Sequence, residues 1–180
     1  MKQNVDSTLI DQFIKSAEQV EATVECIPAN ANALSSALEC ATQDEQHVLL
    51  AEPVDLDPKL FEKLKNNKKV ITSPTEDDLA SVKVGITEAF GGVARTGSVC
   101  ISVDKTMSSP VSLFTREHIA VIDARSIVHS PREVFSNEFL EGKGLKRSFT
   151  IITGPSATAD MGSLVRGVHG PGKLHIIILK

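Results

Sequence analysis

Segments with helical and strand-like hydrophobic patterns alternate through the first 80 residues, and this alternation restricts the possible folds more than any other feature. The predicted elements, in order, are a helix over 6–20, a strand over 22–27, a helix from 32, a strand over 47–50, a helix from 57, a strand over 69–72 and a helix from 75. The connections between them are short. This order is typical of βα units that stack around a largely parallel sheet, with helices covering both faces.

Three of these helices have candidate N-terminal caps. Asp57 followed by Pro58 places a carboxylate at the N-cap and proline at the first helical position. Thr75 with Asp78 three residues later resembles a capping box, and Asn32 is a candidate cap for the second helix. The capping residues therefore predict where the second, third and fourth helices begin.

The second half, 81–180, is richer in strands than the first half, 1–80. Five runs are strand-like, VKVGI, SVCISV, HIAVID, FTIIT and LHIIIL, and one helix begins at Pro131 and includes Val134, Phe135, Phe139 and Leu140. Loops separate most of these strands, so several neighbours are expected to pair antiparallel. Since no linker or repeat is visible, we expect one α/β domain over 1–180 with a mainly parallel, mixed sheet.

The composition argues against nucleic acid and membranes as partners. The chain has a formal net charge of −4, seven Phe, no Trp and no Tyr. It therefore lacks a concentrated basic patch and the commonest aromatic platforms for bases. No apolar run approaches the roughly 18 residues that span a bilayer, and the first residues lack the apolar stretch of a signal peptide. We expect a cytoplasmic location.

The cysteines and histidines do not form a metal-binding pattern. Cys26, Cys40 and Cys100 are too few and too far apart for an iron–sulfur cluster, and Cys26 and Cys100 lie in apolar alternation typical of buried thiols. Neither the dinucleotide-binding nor the P-loop glycine pattern occurs, so we expect no metal and no tightly bound cofactor. Four other histidines are scattered, His47, His118, His129 and His175, and of these we expect His47, His118 and His175 to be structural.

The segment FTIITGPSATAD runs from an apolar strand directly into a turn with glycine, hydroxyl and acidic residues. In a parallel α/β sheet, ligands bind outside the carboxyl ends of the strands, where loop N–H groups favour anions. The candidates to line a phosphate or carboxylate site are Gly154, Ser156, Thr158 and Asp160. The alternative interpretation is that the segment only turns the chain and caps the next element.

The segment LVRGVHGPGKLHIII places Arg166, His169 and three glycines within seven residues before the last strand. Arginine offers a fixed fork of donors to an anion, and histidine titrates near neutral pH. Arg166 is therefore a candidate contact for an anion or a protein partner, and His169 is a candidate ligand-binding or catalytic residue. The alternatives are a structural ion pair for Arg166 and a local backbone hydrogen bond for His169.

A third glycine-rich stretch, GITEAFGGVARTGSVCIS, contains further polar candidates. Arg95, Thr96 and Gly97 are candidates to line the same cleft, provided that the strands bring them to one end of the sheet. Glu88 is a candidate general base, and its alternative role is that of a salt-bridge partner or cap. The chain has no G-x-S-x-G sequence, which argues against a serine hydrolase.

These segments resemble the lactate-utilization protein C family, whose domain is the LUD domain. TGPSATAD and LVRGVHGPGKLHIII are similar to the family's G-P-S-x-T-A-D and L-V-x-G-V-H-G-P-x-x-L-H sequences, and the third stretch is similar to its T-G-[ST] region. The resemblance implies a three-layer α/β/α fold like that of sugar-phosphate isomerases and coenzyme A transferases. It also implies a role in oxidising L-lactate to pyruvate, together with iron–sulfur oxidoreductase subunits.

This chain departs from the family pattern at three positions. Arg95 stands where the family usually has Glu, Ala157 where it usually has Arg, and Gly162 where an acid is common. Each change removes or inverts a charge near the predicted cleft, so a ligand shared by the family is expected to bind differently here or not at all. We hypothesise that Arg95 replaces the arginine missing at position 157.

Three functions agree with these features. The first is a component of a lactate-oxidising system that holds no cluster of its own and binds its partners or a small anionic metabolite through 154–171. The second is a stand-alone enzyme or sensor for a phosphorylated or carboxylated metabolite. The third is an assembly factor of the same fold whose ligand site has been lost.

Overall fold

The computed structural model of the chain describes residues 7–103, 107–136, 139–140, 148–159 and 162–180. Its helices are α1 Ser7–Gln19, α2 Ala31–Ala41, α3 Glu62–Lys65, α4 Glu76–Ser81, α5 Ser108–Phe114 and α6 Pro131–Val134, and two 3-10 turns cover Pro58–Phe61 and Ala124–Ser126. Its strands are β1 Thr23–Ile27, β2 Val48–Leu50, β3 Val70–Ile71, β4 Val84–Ala89, β5 Gly91–Val93, β6 Ser98–Ser102, β7 Glu117–Asp123, β8 Ile127–Val128, β9 Phe149–Thr153, β10 Ala157–Thr158, β11 Val165–Arg166 and β12 Lys173–Leu179. The predicted alternation of the first 80 residues is confirmed. None of the helices within the described ranges has the length and apolar character to cross a membrane.

Six strands form a parallel sheet in the order β1-β12-β7-β4-β2-β3. Each of the five pairings is parallel. Three of these strands come from the first 80 residues and three from the second half, so both halves contribute to one sheet. All six strands start at the same edge, which we call the amino edge, and end at the opposite, carboxyl edge.

A second sheet of four strands has the order β8-β5-β6-β9. β6 pairs antiparallel with both β5 and β9, while β8 runs parallel to β5. Only Phe90 separates β4 from β5, and only the turn Ala124–Ser126 separates β7 from β8, so the chain passes twice from the large sheet into the small one. The antiparallel neighbours predicted for the second half are therefore present, and they lie in a sheet of their own.

Apolar side chains cover the large sheet on both faces and give the predicted three-layer α/β/α arrangement. Leu34 of α2 and Phe61 belong to one buried cluster with Ile119 of β7. On the other face, Phe13 of α1 belongs to a cluster with Ile122 of β7. Successive side chains of a strand point to opposite faces of the sheet, so neighbouring residues of β7 pack against different helical layers.

The caps of two helical segments are as predicted. The Asp57 side chain accepts a hydrogen bond from the N–H of Lys59 at 3.0 Å, although the segment begins as a 3-10 turn and continues as α3. Thr75 and Asp78 form both hydrogen bonds of the capping box at the start of α4. The Asn32 prediction is wrong, because Asn30 has the extended backbone of an N-cap and its side chain accepts from the N–H of Ala33 at 2.9 Å.

One prediction of burial and one of helix length are wrong. Cys100 lies in the core, where burial raises the pKa of its thiol to about 12, but Cys26 is exposed. Cys26 lies in β1, an edge strand of the large sheet. The helix that begins at Pro131 was expected to include Phe135, but α6 ends at Val134 and Phe135 is 60% exposed.

Candidate functional site

Hydrogen bonds join the two glycine-rich motifs into one structural unit. β10 pairs antiparallel with β11, which sets Ala157 opposite Arg166. The N–H of Ser156 donates to the carbonyl of Pro171 at 2.8 Å, and the carbonyl of Ser156 accepts from the N–H of Gly167 at 2.9 Å. We call residues 156–159 and 162–172 the motif ribbon. It brings together four of the predicted site residues, Ser156, Thr158, Arg166 and His169.

The motif ribbon lies at the amino edge of the large sheet. It leads directly into β12 at Lys173, and the N–H of Gly172 donates to the carbonyl of Arg116, just before β7, at 2.9 Å. The sequence argument placed this segment at the carboxyl ends of parallel strands, and that placement is wrong. β9, which precedes the ribbon, belongs to the small sheet and pairs antiparallel with β6, so its end does not mark the carboxyl edge.

Gly97 and Gly154 allow the chain to approach the last turn of α1. Both have positive φ, +63° and +66°. A Cβ on Gly97 would lie 2.2 Å from the backbone nitrogen of Ala17, and a Cβ on Gly154 would lie 2.3 Å from the carbonyl oxygen of Val20. The C-terminus of a helix carries the negative end of its dipole. The surroundings of these two glycines therefore favour close packing and do not attract an anion.

Thr96 belongs to a short chain of hydroxyl groups beside these glycines. The Ser98 hydroxyl lies 2.6 Å from that of Thr96 and 2.7 Å from that of Thr153. Ser98 is buried and pairs with Thr153 across β6 and β9. These hydrogen bonds tie the two strands together and satisfy a hydroxyl that has lost its contact with water.

Arg166 and Ser156 hold the motif ribbon in place. The Arg166 guanidinium lies 2.5 Å from the carboxylate of Glu21, directly after α1, and both side chains are about half exposed. An exposed pair of this kind contributes about 0–1 kcal/mol to stability. The Ser156 hydroxyl accepts from the backbone N–H of His169 at 3.2 Å. The ion pair considered for Arg166 from the sequence is thus present, whereas this hydrogen bond of His169 is made by its backbone and not by its imidazole.

A groove of about 1120 Å³ opens between the motif ribbon, α4 and the end of α5. Its walls include two exposed apolar side chains, Phe114 (68% exposed) and Val168 (50% exposed). Arg116, His169 and Lys173 also line it. Within the described part of the chain, no ion pair forms at the Arg116 guanidinium. The groove therefore combines exposed apolar surface with a positive charge, Arg116, that has no ion pair among the described residues.

Two groove residues, Phe114 and Arg116, were missed by the sequence reasoning. Phe114 closes a short apolar helix and looks like a core residue in the hydrophobic pattern. Arg116 precedes a buried strand, where a charged residue usually marks only the strand boundary. The one signal in the sequence was their position: the two residues are two positions apart and come immediately before β7, which starts at the same edge as β12.

Glu88 lies at the carboxyl edge of the large sheet, which is the edge opposite to the motif ribbon. Its carboxylate is 7% exposed and accepts hydrogen bonds of 2.5–3.0 Å from the backbone N–H groups of Val54, Asp55 and Leu56. Burial raises the pKa of Glu88, while these three N–H groups act in the opposite direction. The structure does not bring Glu88 together with His169, and the contacts are those of a cap for the loop after β2.

Arg95 lies apart from the motif ribbon, whereas Thr158 and Gly162 belong to it. Arg95 is exposed on the turn between β5 and β6, and its backbone N–H donates to the carbonyl of His129 at 3.0 Å. Thr158 is half-buried in β10, and a Cβ on Gly162 would meet only open space. Asp160 lies outside the described residues. The replacement of the missing arginine at Ala157 by Arg95 stays a prediction.

Two histidines have well-defined structural environments within the large sheet. His118 is fully buried, its Nε2 lies 2.8 Å from the Thr87 hydroxyl, and its Nδ1 has no hydrogen-bond partner among the described residues. Burial lowers the pKa of His118 to about 3. His175 lies between the hydroxyl of Thr23 and the carboxylate of Glu25 on the neighbouring strand.

Over the described ranges, no group of three or more His, Cys, Asp or Glu side chains is arranged to hold a metal ion.

The fold and the motif ribbon define a class: a three-layer α/β protein with a parallel six-stranded sheet, a second four-stranded sheet and paired glycine-rich loops at the amino edge. The model of the LUD domain matches residues 10–179. The chain therefore belongs to the LUD domain family, as the motif resemblance implied.

Curated relatives match part of the chain. Lactate utilization protein C of Bacillus subtilis is 34% identical over 102 residues, which cover 53% of this chain and 42% of that protein. Lactate utilization protein C 1 of Bacillus mycoides is 32% identical over 113 residues, 58% of this chain and 47% of that protein. An uncharacterised protein of Neisseria meningitidis is 27% identical over 126 residues, which cover 69% of this chain and 52% of that protein. The chain thus spans about half the length of the curated relatives it matches.

One solved structure has the same fold along nearly the whole chain. It is a crystal structure of a DUF162 family protein from Deinococcus radiodurans, with a TM-score of 0.73 and 21% sequence identity. The similarity covers 97% of this chain and 98% of that one. The α/β fold is therefore shared by the two proteins.

Proposed function

We propose that the protein is a component of an L-lactate utilization system that oxidises lactate to pyruvate. In this proposal it acts in the cytoplasm beside iron–sulfur oxidoreductase subunits and contributes no cluster of its own. The observation that carries the proposal is the motif ribbon: both LUD-type motifs are present and form one preorganised loop unit beside an open groove. The names of the Bacillus relatives support the link to lactate utilization.

The positions of the cysteines support a role without a cluster of its own. Cys26 lies in β1, Cys40 in α2 and Cys100 in β6, and Cys100 is buried in the small sheet. Since iron–sulfur clusters need several thiolates around one point, we assign the redox chemistry of the proposed system to its partners. The two exposed thiols, Cys26 and Cys40, suit the reducing cytosol.

The second candidate function is a stand-alone enzyme or sensor for a small phosphorylated or carboxylated metabolite. The observation that favours it is the set of basic side chains, Arg116, His169 and Lys173, along one groove. Such a protein would bind its anion without a partner. A thermal-shift screen with inorganic phosphate, L-lactate, pyruvate and sugar phosphates tests this function, because a ligand at 100 times its Kd adds about 2.7 kcal/mol of stability.

The experiment that tests the leading proposal is deletion of the gene in its own host, followed by growth on L-lactate as the sole carbon source. We expect the deletion strain to lose growth on L-lactate, to keep growth on pyruvate and to regain growth on L-lactate when the full chain is restored. The informative variant is Ser156→Pro, which removes the N–H that donates to Pro171 and so opens the motif ribbon. Its matched control is Ser81→Ala, which removes a hydroxyl that donates to the carbonyl of Asp77 within α4.

Normal growth and normal lactate oxidation in the deletion strain would contradict the proposal. Loss of growth on pyruvate as well would show a general defect instead of a role in lactate use. Each strain is checked for an equal amount of folded protein, so that a growth defect reflects the motif ribbon and not the abundance of the chain.

A further inference from the structure

The groove between the motif ribbon, α4 and α5 exposes more apolar surface than a small anion would cover. Phe114 and Val168 line it, and Leu164 and Val165 of the adjoining ribbon are 56% and 50% exposed. Four of the seven large hydrophobic residues that are exposed among the described positions therefore lie in or beside this one region. Exposed apolar patches bordered by polar residues mark surfaces that bind other molecules.

The charges at the groove favour an acidic occupant. Arg116 has no ion pair within the described ranges, and His169 of the ribbon also lines the groove. Two further cations, Arg166 and Lys173, have carboxylates of the chain itself as partners, Glu21 at 2.5 Å and Glu117 at 3.5 Å.

One carboxylate, Glu76 of α4, also lines the groove, next to Asp77 and Asp78 on the first turn of that helix. The acidic groups therefore lie on the α4 wall and the basic groups on the opposite walls. This separation of charge gives an occupant one preferred orientation.

The size and rigidity of the groove favour a segment of protein over a metabolite. Its volume of about 1120 Å³ exceeds the roughly 300–1,000 Å³ of typical small-molecule pockets. The ribbon wall is held by backbone hydrogen bonds from Ser156 to Pro171 and from Gly172 to Arg116, so it is formed before anything binds. Preformed grooves with apolar walls accept amphipathic segments whose apolar residues recur at helical spacing.

We propose that this groove is the docking site for an acidic, amphipathic segment of a partner protein, with its apolar side chains on Phe114 and Val168 and its carboxylates at Arg116. The inference deepens the proposed function, on which it rests, by giving the chemistry of the partner contact. A second copy of the chain is the alternative occupant, and the identity of the crosslinked peptide in the test below distinguishes it from a partner protein. A small anion would leave the apolar walls in water.

The test places a photo-crosslinking residue in the groove of the full chain. Phe114→p-benzoylphenylalanine keeps an aromatic side chain at the exposed position, and Phe135→p-benzoylphenylalanine is the matched control, since Phe135 is also exposed (60%) but does not line the groove. Both are expressed in the gene-deleted host growing on L-lactate. After irradiation, the attached peptide is sequenced by mass spectrometry.

We expect crosslinks from position 114 to one segment of another protein, with Leu, Ile or Val at helical spacing and more Asp and Glu than Lys and Arg. Position 135 should not give this product. Adding Arg116→Glu should lower the yield by at least about fivefold, whereas Arg116→Lys should retain most of it, because charge reversal replaces attraction by repulsion. Raising the salt concentration in a cell extract should also lower the yield, since exposed charges are screened.

A crosslink to a second copy of this chain, a crosslink to a basic segment, or no protein crosslink at position 114 would each overturn the inference. So would a yield that Arg116→Glu leaves unchanged in a protein of unchanged thermal midpoint. The proposed function fails separately: it is wrong when the deletion strain grows normally on L-lactate, whatever the groove binds. Growth that requires the chain, without a crosslink at the groove, rejects only the docking site.

Discussion

The His118 imidazole lies in the core with only one of its two nitrogens hydrogen-bonded among the described residues. Since a buried charge has no water to solvate it, the neutral form is strongly favoured, and the pKa falls from 6.5 to about 3. In the unfolded chain the same group takes up a proton near its ordinary pKa. Below that pH the unfolded state therefore binds one proton more than the folded state, and acid shifts the equilibrium toward unfolding.

We predict that His118 makes the protein less stable as the pH falls below about 6.5 and toward the folded pKa of about 3. Between pH 7 and pH 5 this one group should lower the free energy of unfolding by about 2 kcal/mol. His118→Asn removes the titration, so its free energy of unfolding, measured by urea denaturation, should depend less on pH.

The matched control for this prediction is His129→Asn, because His129 is exposed. Its pH dependence should follow that of the parent protein. Equal slopes for the His118→Asn variant and the parent would show that another group controls acid stability. The comparison uses slopes, so it holds even where the His118 variant is less stable at neutral pH.

At the level of elements, α1 is packed against two turns of the small-sheet region through glycines. Gly97 and Gly154 both face its last turn, and neither position has room for a side chain. The helix also contributes Phe13, which is completely buried against the sheet. α1 is thus held at its C-terminal end by backbone contacts and along its length by apolar burial.

Gly97→Ala should destabilise the protein by at least about 2 kcal/mol, because it adds a clash with the α1 backbone to the strain of positive φ. Thermal unfolding monitored by circular dichroism measures the effect. Gly170→Ala is the matched control: the nearest atom to its Cβ would lie at 3.5 Å, an ordinary contact. A similar loss of stability in both variants would contradict the proposed role of Gly97.

The positions of helices and strands along the chain could be predicted from the sequence more readily than the pairing of one strand with another. Hydrophobic periodicity identified the run FTIIT as a strand, and β9 is present there. Periodicity does not say which strand lies beside it, and this missing information led to the motif ribbon being placed at the wrong edge. The partner of β9 depends on the path of the chain through β5 and β6, which is determined by contacts between distant residues.

The same limit applies to the candidate site as a whole. The two motifs could be recognised, and the structure does join Ser156, Arg166 and His169. Phe114 and Arg116 could not be recognised, because they reach the groove only when β7 starts beside β12. Glu88 was grouped with the motif residues because it is polar. In the structure it lies near the carboxyl end of β4, whereas the motif residues lie at the amino edge, so the length of β4 separates them.

On the scale of the whole molecule, the two sheets share continuous chain. β4 runs into β5 and β7 into β8, and one buried cluster contains Val99 of the small sheet and Ile176 of the large sheet. The two sheets are therefore joined both by the chain and by buried contacts. We expect the two sheets to unfold in one cooperative transition.

Val99→Ala tests this cooperativity, since Val99 is completely buried. The variant should lose about 2 kcal/mol of stability. Pulsed hydrogen exchange with mass spectrometry at increasing urea should show peptides from β6 and β12 losing protection together, at a lower urea concentration than in the parent. Val54→Ala, at a side chain that is 53% exposed, should change little. Separate transitions for the two sheets would contradict the prediction.

The loop after β2 affects the binding of free ligands at the carboxyl edge. Three successive backbone N–H groups, those of Val54, Asp55 and Leu56, converge on one point, an arrangement that elsewhere captures phosphate or carboxylate ligands. In this protein the Glu88 carboxylate occupies that point. Because Glu88 is tethered to the same chain, its effective concentration at these amides is in the millimolar range or above. The Glu88 carboxylate thus fills the position that a free anion would need, and an anion would have to displace it to bind at this edge.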